Sequence, residues 1–395
     1  MLLLLLACSK PPETVIFVVL DTVRADRLSA CGYGDTSPNL AALDGSLSCT
    51  AVAPGSWTLP SHASFMTGAM PVDHRAHCIT SGVDDLGGSG ARSRPLNQDL
   101  GTLAEAFVER GYQTIAVSGN PVVSEKMGLL RGFESTHVAP AWGSWFGDTL
   151  PEKVSEAMSP TDPARSTFLF VNIADAHQPW RGQGESLTWN KKKDEGDWAR
   201  YHRGEMSAEE WAPLQAKVDR LYDAAVTRAD TSLGQILSQH CGDNCRVVIT
   251  SDHGEMLGEH GLLDHGHNVW DENAVVPLYT SQGEIGEGWV SALDAHGLVL
   301  GEPKRHAPVS EAWPHVRRCA RTAGAAFCSV EVGVWGETKT VWSDGEEFVE
   351  AEGVRTPVTV WTLTEHGTRL RREARDDGQI DFEVEELLRA AGYMD

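Results

Sequence analysis

Four runs of apolar, largely β-branched residues lie along the first two thirds of the chain. They are Thr14–Leu20, Thr114–Ser118, Thr167–Ile173 and Arg246–Thr250. Continuous runs of this kind are typical of strands that are buried on both faces of a parallel sheet. Helical patterns separate them, for example at Leu100–Arg110 and Leu214–Leu237. The alternation predicts a doubly wound α/β sheet between helices, with ligands bound beyond the carboxyl ends of the strands.

The pattern changes near Cys328, where short alternating segments replace the long runs. These segments are Val330–Trp335, Lys339–Trp342 and Val358–Leu363, followed by a helical pattern at Phe382–Ala391. Alternation of this type predicts antiparallel strands. We therefore expect a leader region at 1–12, a catalytic α/β domain at 13–328 and a small C-terminal antiparallel α+β subdomain at 329–395. Residues 181–212 are rich in charge, Trp and Gly, and they predict a surface insertion at one wall of the site.

Composition and charge narrow the range of partners. The chain has 395 residues, of which 41% are hydrophobic, so it can bury a large core. Its 33 Lys and Arg against 56 Asp and Glu give a net charge of −23, which repels nucleic acid and anionic membranes. We expect no nucleic-acid partner. An anionic substrate must then be attracted locally, by a metal, a helix N-terminus or histidines.

The N-terminus predicts export. Leu5-Leu6-Ala7-Cys8 resembles the lipobox of bacterial lipoproteins, and the preceding apolar run is too short to span a bilayer. This resemblance implies a protein of the bacterial cell envelope, periplasm-facing or secreted, with a lipid anchor at Cys8. A misassigned start codon or a chance leader is the alternative.

Closely spaced cysteines also fit an oxidising compartment. Cys241 with Cys245 and Cys319 with Cys328 are candidate disulfides, and Cys31, Cys49 and Cys78 leave an odd count once Cys8 is lipidated. The alternative is that these cysteines are small buried hydrophobic residues.

Polar groups stand where the predicted sheet opens. Asp21 ends the first apolar run, and Asp252 and His253 follow the run Arg246–Thr250. Carboxylate and imidazole groups at one sheet edge suit a divalent metal. A capped turn, in which Asp252 binds backbone amides, is the alternative for the second pair.

Thr58 adds a hydroxyl to this set. It precedes Pro60 in the sequence Gly55-Ser-Trp-Thr-Leu-Pro, which suits the first turn of a helix. Backbone N–H groups there stabilise an alkoxide and a tetrahedral anion, as displacement at phosphorus or sulfur requires. Taken alone, Thr-x-Pro is also an ordinary helix entry. It is the coincidence of Thr58 with Asp21 and Asp252 that predicts a catalytic site.

Seven segments, in order, resemble the sulfatase family of the alkaline-phosphatase superfamily. They are VIFVVLDTVRADRLSACGYGDTSPNL, APGSWTLPSHASFMTG, FLFVNIADAHQPW, LYDAAVTRADTSLGQIL, TSDHGEMLGEHG, NVWDENAVVPLY and LLRAAGY. The resemblance implies an alkaline-phosphatase-like, mainly parallel mixed sheet between helices, with a smaller C-terminal sheet. It also implies a metal held by Asp21, Asp252 and His253, with Thr58 beside it.

The resemblance breaks down at the nucleophile. The sulfatase signature is Cys or Ser-x-Pro-Ser-Arg, with its first residue oxidised to formylglycine, whereas this chain has Thr58-Leu-Pro-Ser-His62. Threonine cannot give formylglycine, but it is the nucleophile of superfamily relatives such as nucleotide pyrophosphatases and phosphoethanolamine or glycerol-phosphate transferases. Thr22 replaces a second aspartate that is frequent in sulfatases. One divalent ion is expected, and Mn²⁺, Zn²⁺ or Mg²⁺ suits this site at least as well as Ca²⁺.

Further roles follow from the same resemblance. His62 joins Thr58 in the catalytic set, His177 matches the substrate-binding histidine of the family, and Asn120 and Arg24 lie in segments that resemble substrate-binding loops. The alternative is a surface turn for His177, as for His265 and His267 below, and a surface ion pair for Arg24.

The segment Asp264-His-Gly-His supplies a candidate proton donor. His265 or His267 is expected to protonate the leaving oxygen, and His265 also to bind substrate, because imidazole titrates near neutral pH. Only Asp175, His177 and His267 suggest a second metal cluster, and their spacing departs from that of two-metal relatives.

The sequence therefore predicts a hydrolase of sulfate or phosphate esters that forms a covalent intermediate on Thr58. Its substrate is expected to be a small-molecule, glycan or lipid ester. Two alternatives stay open. One is a transferase that passes a phospho-alcohol group to an envelope glycan or lipid, and the other is a non-catalytic binding protein that retains the fold.

Overall fold

The computed structural model describes residues 11–79, 92–180, 200, 205–266, 268–312, 331–336, 339–343, 346–351 and 354–357. The strands are β1 Thr14–Leu20, β2 Ser46–Val52, β3 Cys78–Ile79, β4 Arg92–Ser93, β5 Gln113–Ser118, β6 Ser135–Val138, β7 Thr167–Ile173, β8 Cys245–Ser251, β9 Met256–Leu257, β10 Leu263–Asp264, β11 Val275–Thr280, β12 Val290–Ser291, β13 Val309–Ala312, β14 Glu331–Val334, β15 Lys339–Ser343, β16 Glu346–Ala351 and β17 Val354–Pro357.

The α-helices are α1 Pro38–Ala41, α2 Thr58–Thr67, α3 Pro71–His74, α4 Leu103–Glu109, α5 Thr149–Met158, α6 Ala208–His240, α7 Asp271–Ala274 and α8 Asp294–Leu300. Short 3-10 helices lie at Ala25–Arg27, Ser29–Cys31 and Glu259–Gly261. Within the described part of the chain, no helix is long and apolar enough to cross a membrane.

The main sheet has eight strands in the order β12-β2-β11-β8-β1-β7-β5-β6. β1 lies in the middle and pairs in parallel with β7 on one side and β8 on the other. β11 runs antiparallel to both of its neighbours, β8 and β2, so the sheet is mixed but mainly parallel. This alkaline-phosphatase-like α/β architecture confirms the predicted fold class.

Alternate side chains of β1 enter different layers of the core. Val15, Phe17 and Val19 pack into the layer that contains α2 and α8, whereas the intervening Ile16, Val18 and Leu20 pack against α6. All six are at most 2% exposed. Because successive side chains of a strand point to opposite faces, an unbroken apolar run is what a strand covered on both faces requires.

The long helix α6 covers one face of the sheet. Ser207 caps its first turn through a capping box with Glu210, and the buried side of the helix includes Leu221, Leu233 and Ile236. The helix begins at Ala208, so the end of the predicted surface insertion at 181–212 is helical. Most of that insertion lies outside the described residues.

The predicted strands match the observed ones closely. Thr14–Leu20 and Thr167–Ile173 have the predicted bounds, β5 begins one residue earlier than predicted, and β8 is one residue longer at each end. The C-terminal strands β14 and β15 fall in the segments predicted for them. Val358–Leu363 and the helix at Phe382–Ala391 lie outside the described residues.

A five-stranded antiparallel sheet, β13-β14-β15-β16-β17, follows the main sheet in sequence. Its first strand, Val309–Ala312, precedes the boundary predicted at 328, and Glu311 bridges in parallel with Gly55 just before α2. The small sheet therefore contacts the segment that leads to Thr58.

Two disulfides are present among the described residues. Cys241–Cys245 joins the end of α6 to β8, as the cysteine spacing predicts, and Cys31–Cys49 joins the loop after β1 to β2, which the sequence did not predict. Cys319 and Cys328 lie outside the described residues.

Lys339 anchors the small sheet to the α/β domain. Its buried ammonium donates to the carbonyl of Val269, to Asp271 and to the buried carboxylate of Glu350. It also lies 4.4 Å from the centre of the Trp335 ring. An ammonium that is buried among these acceptors contributes to stability only while its carboxylate partners remain.

We predict that Lys339→Met lowers the free energy of unfolding by about 3–5 kcal/mol, because Glu350 stays buried after losing this partner. The double variant Lys339→Met with Glu350→Leu should recover most of the loss. Urea denaturation measures both effects. A single variant as stable as the wild type would contradict the role given to this ion pair.

Candidate active site

The register of the central strands places two carboxylates side by side. Leu20 of β1 pairs with Ser251 of β8, so the next residues, Asp21 and Asp252, leave the sheet together at its carboxyl edge. Both aspartates are 0% exposed. His253 follows directly, and one ligand atom from each of the three residues lies within 4.8 Å of the other two.

Each carboxylate uses one oxygen for the protein and presents the other to the same space. Asp21 Oδ2 accepts from the amides of Asn120 at 2.7 Å and Asn172 at 3.2 Å. Asp252 Oδ1 accepts from the backbone N–H groups of Thr22 at 3.1 Å and His253 at 3.0 Å. The remaining oxygens, Asp21 Oδ1 and Asp252 Oδ2, are buried without a hydrogen-bond partner among the described residues.

His253 completes the set through its Nε2 atom. Its Nδ1 donates to the carbonyl of Gly254 at 2.8 Å, so Nε2 carries the lone pair in the neutral ring. Nε2 lies 3.5 Å from Asp252 Oδ2 and has no hydrogen-bond partner among the residues described. Lone pairs on nitrogen and oxygen that face one another repel unless a cation lies between them.

Burial acts on both groups in the same direction, toward the uncharged form. It raises the pKa of Asp252, to which the neighbouring charge of Asp21 adds, and it lowers the pKa of His253, to which nearby His265 adds. A divalent cation reverses the effect on Asp252 and agrees with the effect on His253, because it binds an ionised carboxylate and a neutral imidazole. Asp21, Asp252 and His253 therefore fit a divalent metal with two oxygen ligands and one nitrogen ligand.

Thr58 is the first residue of α2, where backbone N–H groups have no partners within the helix. Ser61 fixes this turn, because its hydroxyl accepts from Gly55 N and donates to Gly55 O. The Nδ2 atom of Asn120 lies 3.3 Å from Thr58 Oγ1 and 2.7 Å from Asp21 Oδ2. One amide thus links the predicted nucleophile to a metal-binding carboxylate.

The imidazole of His62 lies between the backbone of Thr58 and the side chain of Asp252. Its Nδ1 donates to the backbone carbonyl of Thr58 at 2.9 Å and lies 3.4 Å from Asp252 Oδ2, while its Nε2 is 3.3 Å from the amide of Asn172. Burial lowers the pKa of His62 to about 4. The ring thus contacts the backbone of Thr58 and lies beside Asp252, and the catalytic role of His62 stays a prediction.

Arg24 also has a structural role. All three guanidinium nitrogens donate within the protein, to Asp26, Glu259 and the carbonyl of Glu255, at 2.7–3.0 Å. Its side chain is 3% exposed. The substrate-binding role of Arg24 stays a prediction. Arg24 joins the loop after β1 to the loop after β8, and so holds together the two segments that carry Asp21 and Asp252.

Histidines line another side of the site. The ring of His265 lies 4.3 Å from that of His253 and 5.2 Å from that of His177, measured between centroids. The structure thus brings His177 and His265 together beside the metal-binding residues. His267 lies outside the described residues.

A family comparison supports this geometry. The family model described as Sulfatase matches residues 13–279. The chain belongs to the sulfatase family. The matched region contains all the predicted site residues and ends before the small antiparallel sheet. A comparison with curated protein sequences gave no match.

Solved structures show the same fold at low sequence identity. A phosphonate monoester hydrolase of Agrobacterium radiobacter is 17% identical, with a TM-score of 0.58 and 91% of each chain covered. A 2-O GAG sulfatase is 16% identical, with a TM-score of 0.55, and covers 96% of this chain and 90% of its own. The C-terminal periplasmic domain of EcEptC from Escherichia coli, in complex with Zn, is 18% identical, with a TM-score of 0.51 and coverages of 71% and 75%.

This sulfatase-family site also contains Glu255, which the sequence did not single out. Glu255, Asp264 and His265 bring their side-chain ligand atoms within 4.8 Å of one another. His265 Nδ1 lies 3.2 Å from Oε1 of Glu255, within hydrogen-bond distance. Asn172 was missed as well. Asn172 is a polar residue inside an otherwise apolar buried strand, and this position is a signal that could have identified it from the sequence.

We predict that Mn²⁺ or Zn²⁺ stabilises chelator-treated protein by about 2.7 kcal/mol when the free metal is about 100-fold above its Kd. Asp252→Asn should abolish this gain, and without metal it should be at least as stable as the wild type, because it removes one of two adjacent buried charges. Thermal unfolding with and without metal measures both.

Asp264→Asn is the matched control, because Asp264 belongs to the other cluster, with Glu255 and His265. It should keep the metal-dependent gain. If Asp264→Asn loses the gain while Asp252→Asn keeps it, the metal has been assigned to the wrong residues.

Proposed function

We propose that this protein is a metal-dependent hydrolase of phosphate or sulfate esters, with Thr58 as its nucleophile. One observation carries the proposal. The hydroxyl of Thr58 lies at the start of α2 and shares the amide of Asn120 with Asp21, next to three converging ligand atoms. Ester cleavage at phosphorus or sulfur needs an activated nucleophile, an anion-binding helix terminus and metal ligands.

Asp21, Asp252 and His253 would hold the metal. Once bound by these residues, a divalent cation would lower the pKa of the Thr58 hydroxyl and would neutralise a non-bridging oxygen of the substrate. Two carboxylate oxygens and one imidazole nitrogen favour Zn²⁺ or Mn²⁺ over Ca²⁺, which prefers six to eight oxygen ligands.

The residues of this chain divide the first step between them. Thr58 Oγ1 forms a bond to phosphorus or sulfur while the bond to the alcohol oxygen breaks, which leaves a covalent ester on the threonine. The N–H groups at the start of α2 stabilise the negative charge of the transferred group. Asn120 keeps the hydroxyl oriented toward Asp21. The Thr58 hydroxyl loses its proton to solvent as it attacks, and the leaving alcohol gains a proton from a side chain.

His265 is the proposed proton donor for the leaving alcohol. Glu255 accepts the Nδ1 proton of His265 and stabilises the protonated ring, so that Nε2–H can be given to the alcohol oxygen. His177 is proposed to bind the substrate. Burial lowers the pKa of His177 to about 4, although Asp21 acts in the other direction, so at neutral pH the ring is uncharged.

Water then releases the transferred group and regenerates Thr58. Phosphate esters are favoured as substrates, since the sulfatase chemistry of the family depends on formylglycine and Thr58 stands in its place. Release to an alcohol instead of water would make the protein a transferase. The products of the reaction distinguish these two activities.

We also propose that the protein works in the cell envelope. The support comes from the two disulfides in the described residues, because such bonds persist mainly in oxidising compartments. A lipid anchor at Cys8 stays a prediction. Metabolic labelling with a fatty acid, in the wild type and in Cys8→Ser, tests it.

We predict that Thr58→Ala lowers kcat/KM at least about 10³-fold, because no other residue replaces its hydroxyl. The assay uses bis(4-nitrophenyl) phosphate, 4-nitrophenyl phosphate and 4-nitrophenyl sulfate, with and without chelator. Thr67→Ala is the matched control, since Thr67 ends the same helix and its hydroxyl bonds only to Ala63 and Ala69 among the described residues.

Thr67→Ala should keep wild-type activity with each ester. Chelator should remove the activity of the wild type and of Thr67→Ala. Unchanged turnover by Thr58→Ala would exclude the nucleophile proposed here. No turnover of any ester by the metal-loaded wild type would favour a binding protein.

We further predict that the effect of His265→Ala depends on the leaving group. An alkyl phosphate ester should lose about 10²–10⁴-fold in kcat, because its alcohol must be protonated as it leaves. The 4-nitrophenyl ester should lose less than about 10-fold, because 4-nitrophenolate leaves without a proton. Equal losses with both esters would show that His265 is not the proton donor.

A further inference from the structure

The ring of His177 is covered by a tryptophan that the sequence did not single out. Trp142 lies in the loop between β6 and α5, and its ring stacks on His177 with 3.8 Å between centroids and 19° between planes. The ring of His265 meets His177 nearly edge-on, at 5.2 Å and 72°. Stacked and edge-to-face rings prefer defined geometries, so these two neighbours restrict how far the imidazole plane can tilt.

A hydrogen bond restricts the remaining rotation of the same ring. His177 Nδ1 donates to the backbone carbonyl of Gln178 at 2.7 Å. The stack fixes the plane of the imidazole, and the hydrogen bond fixes the orientation of the ring within that plane. Together they set the direction of Nε2, which is the nitrogen that the proposed substrate contact uses.

The loop that carries Trp142 is fastened close to His177 itself. Asp175, two residues before His177, is fully buried and accepts from the backbone N–H of Gly147 at 2.6 Å. Arg228 of α6 lies 3.7 Å from the same carboxylate oxygen, and Ser232 of α6 donates to the carbonyl of Gly147 at 3.3 Å. The segments that carry Trp142 and His177 are therefore held together by these polar contacts.

We infer that Trp142 is a positioning residue for the reaction, which acts through His177 and not through contact with the substrate. This inference rests on the proposed function, because it requires that His177 contacts the substrate. Losing the stack should free the imidazole to tilt, so that Nε2 is correctly directed for only part of the time. The consequence is a lower kcat at nearly constant KM.

A double-mutant cycle on the full chain tests the inference, with bis(4-nitrophenyl) phosphate as the substrate. Trp142→Ala should lower kcat about 3- to 10-fold and change KM less than about twofold. In a His177→Ala background the same substitution should change kcat less than about 1.5-fold, because there is no imidazole left to position. Trp142→Phe keeps an aromatic ring at the site and should stay within about twofold of the wild type.

Trp145→Ala is the matched control in the same loop. Trp145 packs against the core layer under α6, and the described residues show no ring contact between it and His177. Any loss it causes should therefore be equal in the wild-type and His177→Ala backgrounds. If Trp142→Ala unfolds, Trp142→Leu provides the same comparison with more apolar volume retained.

Two results would overturn the inference. One is an equal loss from Trp142→Ala in both backgrounds, which means a purely structural role. The other is a rise in KM at constant kcat that persists in the His177→Ala background, which means direct contact between Trp142 and the substrate. If His177→Ala alone leaves kcat unchanged, it is the role of His177 in the proposed function that fails, and Trp142 has nothing to position.

Discussion

Two buried carboxylates that are held side by side form the constraint on which the site depends. Asp21 and Asp252 leave adjacent parallel strands at equivalent positions, and neither side chain is exposed to solvent. Placing two like charges together in a region without water is unfavourable unless a cation or a proton compensates them. His253 adds a nitrogen lone pair to the same space, and this favours a metal over a proton as the compensating charge.

The surrounding structure keeps these groups where they repel one another. Asn120 and Asn172 hold one oxygen of Asp21, and backbone N–H groups hold one oxygen of Asp252. Arg24 ties the two loops together, and the hydroxyl of Tyr222 donates to the carbonyl of Thr22 at 2.6 Å. Each contact holds a backbone segment or the carboxylate oxygen on the far side from the proposed metal site. Asp21 Oδ1 and Asp252 Oδ2 are therefore left to bind a metal.

The sequence predicted the parts of this arrangement that follow from strand patterns. Continuous apolar runs predicted the central strands. The polar residues at the carboxyl ends of those strands identified Asp21, Asp252 and His253 as candidate ligands. β2 was not predicted, because Ser46–Val52 is only partly buried and its apolar positions are interrupted. The roles of Arg24, Glu255 and Trp142 depend on partners that are distant in sequence or in separate loops. Arg24 and Glu259, for example, are 235 residues apart, and no local pattern relates them.

The most direct test of the central claim is anomalous X-ray diffraction from crystals of the wild-type protein soaked in Zn²⁺ or Mn²⁺. We predict one strong peak, about 2.0–2.2 Å from Asp21 Oδ1, Asp252 Oδ2 and His253 Nε2, with Thr58 Oγ1 beside it. A peak among Glu255, Asp264 and His265 alone would contradict the account. So would the absence of any peak near Asp21 at a metal concentration that supports activity.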